Sequence, residues 1–330
     1  MGLRTTPVIT STKLLTQFSE GNPLDPATAG FTRIVVATGL SDVVVHAGPK
    51  TAGNPKTATL LLHGAAGSWT TWLPLIRTSH EEGDLLPNVV ALDLPGWGES
   101  GDLPPEASVD DMVDAVAGIA TALGFTKWHL IGHSLGGHLA LTLAARYPAQ
   151  TVSVTAISAT GPAALSVLRQ PIRNFTTAPL LAGMLGAMCA LAVLGPAGIA
   201  IVHALHRFKL LRTLTSPLFS PQRAVDPSVI DALAAEVRAE AFVLAAKAAA
   251  RFDENIWSAI RCPVTLVRGR RDAFVNPTDD AWFAAALPHA DQRVAAVAGH
   301  FAHIETARHP NRSVTLMFAA EKTGNREALR

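Results

Sequence analysis

A mostly parallel α/β sheet of eight strands with helices on both faces is the fold class this sequence predicts. Three observations predict it. Short runs rich in Val, Ile, Leu and Thr recur between turn signals. Helical patterns separate these runs from the third one onward. At Gly132-His133-Ser134-Leu135-Gly136 a buried strand pattern gives way to a helix pattern across a single serine. Alternation of this kind needs crossover connections, which lay helices against both faces of parallel strands.

The strands are expected at Thr32 to Thr38, Asp42 to Ala47, Ala58 to His63, Val89 to Asp93, Trp128 to Gly132, Val152 to Ser158, Val264 to Arg268 and Gln292 to Val297. The first two, split only by Gly39-Leu40-Ser41, must form a hairpin. Helical patterns cover Trp72 to Arg77, Val109 to Leu123, His138 to Arg146, Thr278 to Ala286 and Pro310 to Ala320. About a hundred residues between the sixth and seventh strands are not needed by the sheet, so the chain divides into an arm at 1–30, a core at 31–161 and 256–330, and a helical insertion at 162–255. Of the 330 residues 48% are apolar, enough for a sizeable core. The formal charge of +1, without long basic runs, excludes a nucleic-acid footprint. Cys189 and Cys262 make no disulfide framework, and residues 1–22 lack the apolar core of a signal peptide, so the expected compartment is cytoplasmic.

Function in such sheets collects beyond the carboxyl ends of the strands. The turn at Ser134 is too tight for side chains two residues to either side, which explains Gly132 and Gly136, and it raises the hydroxyl above the sheet at a helix N-terminus. With His63-Gly64, Asp93 to Ser100 (DLPGWGES), Gly132 to Gly137 (GHSLGG), Gly269 to Asp272 (GRRD) and Gly299-His300 in this order, the chain resembles the α/β-hydrolase-fold serine hydrolases. The resemblance covers about 31–320 apart from the insertion, and implies the chain order nucleophile, acid, base. Ser134 is then the nucleophile, Asp272 the acid and His300 the base. The backbone N–H groups of Ala65 and Leu135 would form the oxyanion hole, with Gly64 keeping the first loop close to the site.

Rivals are weighed on the residues. Asp279 and Asp280 suit a solvated helix N-terminus, His303 suits a packed position one turn from His300, and His63 and His133 suit loop shaping. Trp69, Trp72 and Trp97 suit either a pocket wall or the core, and Asp253 and Glu254 the surface. No metal-ligand spacing or phosphate-cradling loop occurs, so no metal or cofactor is expected.

The resemblance makes the insertion a cap over the serine. It opens with Ala178 to Leu205, which carries no formal charge, followed by His206, Arg207, Lys209 and Arg212. Ala178 to Leu194 would extend about 26 Å as a helix, short of the roughly 30 Å of a bilayer core, and a single crossing would part Ser134 from Asp272 and His300. The favoured expectation is two helices broken at Gly195-Pro196 and buried as cap lining; the other is peripheral membrane contact through 178–212. Pro227 to Ala250 reads as one long helix. The expected reaction is hydrolysis of a small lipophilic ester through an acyl-enzyme. Carbon–carbon hydrolysis of a diketone-like substrate and a non-catalytic ligand-binding role are the alternatives; the oligomeric state is not encoded in any motif.

Overall fold

The computed structural model describes residues 8–14, 30–50, 54–81, 85–219, 232–233 and 235–306. One sheet organises them. Its strands are β1 (Val8–Leu14), β2 (Thr32–Ala37), β3 (Asp42–Ala47), β4 (Thr57–Leu62), β5 (Val89–Leu92), β6 (Lys127–His133), β7 (Thr151–Ile157), β8 (Val264–Gly269) and β9 (Asp291–Ala295). Their order across the sheet is β1-β2-β3-β5-β4-β6-β7-β8-β9. The β1–β2, β2–β3 and β3–β5 pairs are antiparallel, and every later pair is parallel.

All eight expected strands are present. The ninth, β1, gives part of the 1–30 arm a place at the sheet edge: Val8 lies opposite Ala37 and Leu14 opposite Thr32. Its sequence, VITSTKL, is too polar to announce a buried strand, and an edge position asks for little apolar surface.

Between strands run α1 (Leu73–Glu81), α2 (Val109–Ala122) and α3 (Leu135–Arg146). Ser108 starts α2 with a reciprocal cap: its hydroxyl accepts from the Asp111 N–H, and the Asp111 carboxylate accepts from the Ser108 N–H. Side chains alternate across the sheet as the period of two requires. Leu60, Leu62 and Leu130 pack on one face with Met112 and Val116 of α2 and Leu139 of α3. Leu61 and Ile131 pack on the other with Leu75 and Ile76 of α1.

The chain leaves the sheet after β7 and returns at β8. Between them lie α4 (Pro162–Arg169), α5 (Pro179–Leu194), α6 (Pro196–Arg207), α7 (Leu210–Thr215) and α8 (Ala239–Ala250). Proline sits in the first turn of α4, α5 and α6, where its missing N–H costs nothing. Gly195, at φ 52°, ends α5 and turns the chain into α6. After β8 come α9 (Thr278–Ala286) and α10 (Ala302–Glu305).

Two expectations about helices change, and a third falls outside the described residues. The expected break at Gly195-Pro196 is there, but α5 and α6 are not buried: the buried positions are Leu181 and Ala182 in α5 and Gly198 and Val202 in α6. Apolarity on every side of α5 removed the periodicity that would have distinguished an inner from an outer face. The long helix read over Pro227 to Ala250 is interrupted, since residues 236–238 are not helical and the described helix starts at Ala239; part of that reading lies outside the described residues. The helix expected at Pro310 to Ala320 lies wholly outside them. Among the described residues no helix is long and apolar enough to cross a membrane.

Candidate active site

Ser134 stands alone between the last residue of β6 and the first of α3, with φ 51° and ψ −115°. A serine pays for such a backbone only where its surroundings over-determine it. They do here. A Cβ on Gly132 would lie 2.2 Å from the Gly136 carbonyl oxygen, and one on Gly136 would lie 2.0 Å from that of Leu62. The Ser134 N–H donates to the Ile157 carbonyl, and its carbonyl accepts from the His138 and Thr160 N–H groups. The hydroxyl makes no cap bond to its own helix.

Asp272 follows β8, where the loop is pressed against the one carrying His300: a Cβ on Gly269 would lie 2.0 Å from the Gly299 carbonyl oxygen. Asp272 Oδ1 accepts from the Phe274 and Val275 N–H groups at 2.9 and 3.0 Å and from His300 Nδ1 at 3.0 Å. Burial pushes this carboxyl up. The His300 imidazole, by charge and hydrogen bond, and the Phe274 N–H outweigh it and hold the pKa below its ordinary value. An acceptor at Nδ1 fixes the tautomer, so His300 Nε2 carries the lone pair. The His300 N–H donates to the Leu218 carbonyl at 2.8 Å, tying this loop to the cap.

Two further imidazoles crowd His300. His133 Nε2 donates to the His300 carbonyl at 3.0 Å, and its ring lies 4.8 Å from that of His300 and 4.4 Å from that of His303. Burial, reinforced by the neighbouring imidazoles, drives the His133 pKa well down. Burial and the His300 charge lower His303 to about 3. Both stay neutral at pH 7. His303 is enclosed against Trp72 and does not line the cavity that Ser134 and His300 share.

That cavity has a volume of roughly 1060 Å³, its open mouth included. Ser134, His300, Ala65 and Leu135 lie on its floor side, and the cap supplies Leu181, Met184 and Met188 from α5 and Phe242 from α8. Among the described lining residues none is Lys, Arg, Asp or Glu. Leu135, as first residue of α3, has no helical acceptor for its N–H. Gly64 brings the Ala65 loop close: a Cβ there would lie 2.7 Å from His133 Nδ1 and 3.0 Å from Ser134 Cβ. Ser134, Asp272, His300, Ala65 and Leu135 are thus brought to one place, Asp272 behind the imidazole. The cap side chains facing them carried no sequence signal, because helix orientation is absent from an even apolar pattern.

The rivals fall elsewhere. His63 Nδ1 donates to the Gly64 carbonyl at 2.7 Å and Nε2 accepts from the Leu94 N–H at 2.9 Å, so the ring pins two loops together. Burial lowers its pKa despite the Asp93 charge. Trp69, Trp72 and Trp97 are core residues and none lines the cavity. Glu254 pairs with Arg169 of α4, and Asp253 caps the Asn255 N–H. Asp280 pairs with Arg268. Asp279 corrects its expected solvation: it is 2% exposed, its Oδ1 accepts from the Ala163 N–H at 2.7 Å, and burial raises its pKa to about 6. It serves the first turn of α4 rather than its own helix. Among the described residues no group of three or more His, Cys, Asp or Glu could hold a metal ion.

Comparison with known proteins agrees with this architecture. The family described as the alpha/beta hydrolase fold matches residues 58–307. A 2-hydroxy-6-oxononadienedioate/2-hydroxy-6-oxononatrienedioate hydrolase from Burkholderia vietnamiensis is 26% identical over 286 residues, 83% of this chain and 90% of that one. Among solved structures, a thermophilic esterase from Thermogutta terrifontis aligns with a TM-score of 0.59 at 21% identity, covering 83% of this chain and 93% of that one. An enol-lactonase from Burkholderia xenovorans aligns with a TM-score of 0.60 at 18% identity, covering 81% and 92%. At these identities the two structures establish the fold alone.

Proposed function

This chain belongs to the α/β-hydrolase-fold family, and from that premise we propose that it is a carboxylesterase acting on an ester with a lipophilic acyl or alcohol group. The observation that carries the reading is the lining of the cavity: apolar side chains face Ser134 and His300 with no charged residue among those described. An apolar pocket with a few convergent polar groups selects an uncharged, lipophilic ligand oriented by those groups.

The reaction follows from the floor. Ser134 Oγ attacks the ester carbonyl while His300 Nε2 takes its proton, and Asp272 stabilises the imidazolium that forms. Its carboxyl, held in the charged form, is suited to that task. His133 and His303, kept neutral by burial, add no competing positive charge beside it. The Ala65 and Leu135 N–H groups receive the oxyanion, each donor contributing about 3 to 4 kcal/mol to the transition state. Collapse of the tetrahedral species breaks the carbon–oxygen bond, and the alcohol leaves with the proton from His300. Water, giving its proton to His300, then attacks the acyl-enzyme; collapse breaks the bond to Ser134 Oγ, which takes the proton back from His300 as the acid leaves.

Carbon–carbon hydrolysis is the second reading, favoured by the Burkholderia vietnamiensis relative, which matches over most of both chains. That relative's named dioates carry two carboxylates, for which the described lining, apolar and without Lys or Arg, provides no counter-charge. Initial rates on p-nitrophenyl esters of increasing acyl length, for the wild type and Ser134→Ala, test the proposal. We expect rates that rise toward medium or long chains and fall by several orders of magnitude in the variant. Equal rates in the two proteins, or no hydrolysis of any ester, would overturn it.

A further inference from the structure

The cap turns an apolar surface outward, and its charge says what covers it. Val193 is 88% exposed, Ile199 59%, Phe208 70% and Leu214 60%, all on α5, α6, α7 or the turns joining them. Apolar side chains of this size exposed together on helices that pack as neighbours, α5 on α6 and α6 on α7, point to an interaction surface rather than ordinary scatter. The same segment is one-sided in charge. Between Asp114 and Asp226 the chain contains no aspartate or glutamate, whereas Arg173, Arg207, Lys209 and Arg212 all lie in the cap and all are exposed. A chain whose overall charge is only +1 has therefore cleared acids from the stretch that carries its exposed apolar helices.

We propose that α5, α6 and α7 dock this protein on an anionic lipid surface, the apolar side chains entering the headgroup boundary and the cations meeting lipid phosphates. Apolar surface flanked by Lys and Arg is the pattern of a helix lying in that boundary. At 16 residues α5 is too short to cross it. The placement also suits the cavity, because α5 forms its wall: Leu181, Met184 and Met188 face inward, while Gly186, Ala190 and Val193 on the same helix are exposed. One apolar helix separates the cavity from the docking face. The inference holds whatever bond is cleaved at Ser134, and its test reads binding rather than turnover.

The test is flotation of the full chain with phosphatidylcholine vesicles and with vesicles containing phosphatidylglycerol, at low and high salt. We expect flotation with the anionic vesicles only, weakened by salt. The triple variant Arg207→Gln, Lys209→Gln, Arg212→Gln should bind on the order of 100-fold more weakly, about five-fold per cation. Val193→Asp with Phe208→Asp should lose roughly 100-fold or more from two buried apolar side chains. Circular dichroism of each variant verifies folding, which substitution at exposed positions leaves intact. Cys189, exposed on α5, gives an independent readout: anionic vesicles should slow its reaction with a water-soluble maleimide. Equal binding to both lipids, no binding to either, or binding unchanged in both variants would overturn the proposal. So would a dimer in solution that Val193→Asp with Phe208→Asp converts to monomer, since a second copy would then be the occupant.

Discussion

Replacing Asp279 with asparagine should stabilise the protein at neutral pH and do nothing in acid. Asp279 is buried between α9 and α4, and its Oδ1 accepts from the Ala163 N–H, a bond the asparagine carbonyl can keep. Burial raises its pKa from an ordinary 3.8 to about 6. The sign follows from linkage. Below about pH 4 the group is protonated in both folded and unfolded chains and the pH effect is nil. Between 4 and 6 the unfolded chain gives up the proton while the folded one keeps it, so folding grows costlier as pH rises; above 6 the cost is constant. Two units at 1.36 kcal/mol each give about 3 kcal/mol, which the neutral amide avoids. Urea unfolding of the two proteins at pH 4.5 and 7.5, followed by circular dichroism, measures it. The gap should open toward pH 7.5. A difference of the same size at both pH values, or a variant less stable at pH 7.5, would show that Asp279 is not held against its ionisation and would refute the argument.

Two other substitutions probe the site and its frame. Asp272→Asn keeps an acceptor for the Phe274 N–H but cannot stabilise a charged His300, so turnover should fall by about 10³ to 10⁴ with little change in KM; steady-state kinetics showing a loss below ten-fold would move the acid elsewhere. Gly136→Ala would set a methyl 2.0 Å from the Leu62 carbonyl oxygen and should cost on the order of 3 kcal/mol in urea unfolding. Gly183→Ala, on α5 with nothing within 4 Å, is the control and should be neutral or stabilising by about 1 kcal/mol.

How much of this was legible depends on which physical effect wrote each residue. The strands β3 to β8 could be read because a sheet covered on both faces demands apolar runs, and turns demand their own residues. Ser134, Gly132 and Gly136 could be read because a steric constraint leaves no choice of residue. Asp272 and His300 came from order along the chain, and their 3.0 Å contact needed the fold. Asp279 was misplaced for a definite reason. A carboxylate in the first turn of a helix has a local partner in its own helix dipole, and only the approach of α4, more than a hundred residues earlier, makes the Ala163 N–H its partner instead.

The cap shows the same limit from the other side. Hydrophobic residues are sorted by periodicity only when one face is polar, and α5 has no polar face. An even apolar pattern is compatible with complete burial, with a wall between cavity and solvent, and with a surface that meets lipid. Burial would have required a second layer of protein outside α5, yet Gly186, Ala187, Cys189, Ala190, Val193 and Leu194 are exposed. A helix apolar on every side is costly in water on its outer face, a cost that the proposed lipid contact would remove. The acid-free stretch from Ala115 to Val225 was visible from the start. The fold sets the exposed cations Arg207, Lys209 and Arg212 on or beside α6 and α7, next to the exposed apolar side chains of α5, α6 and α7, and this combination of composition, exposure and charge is the ground for the proposed lipid contact.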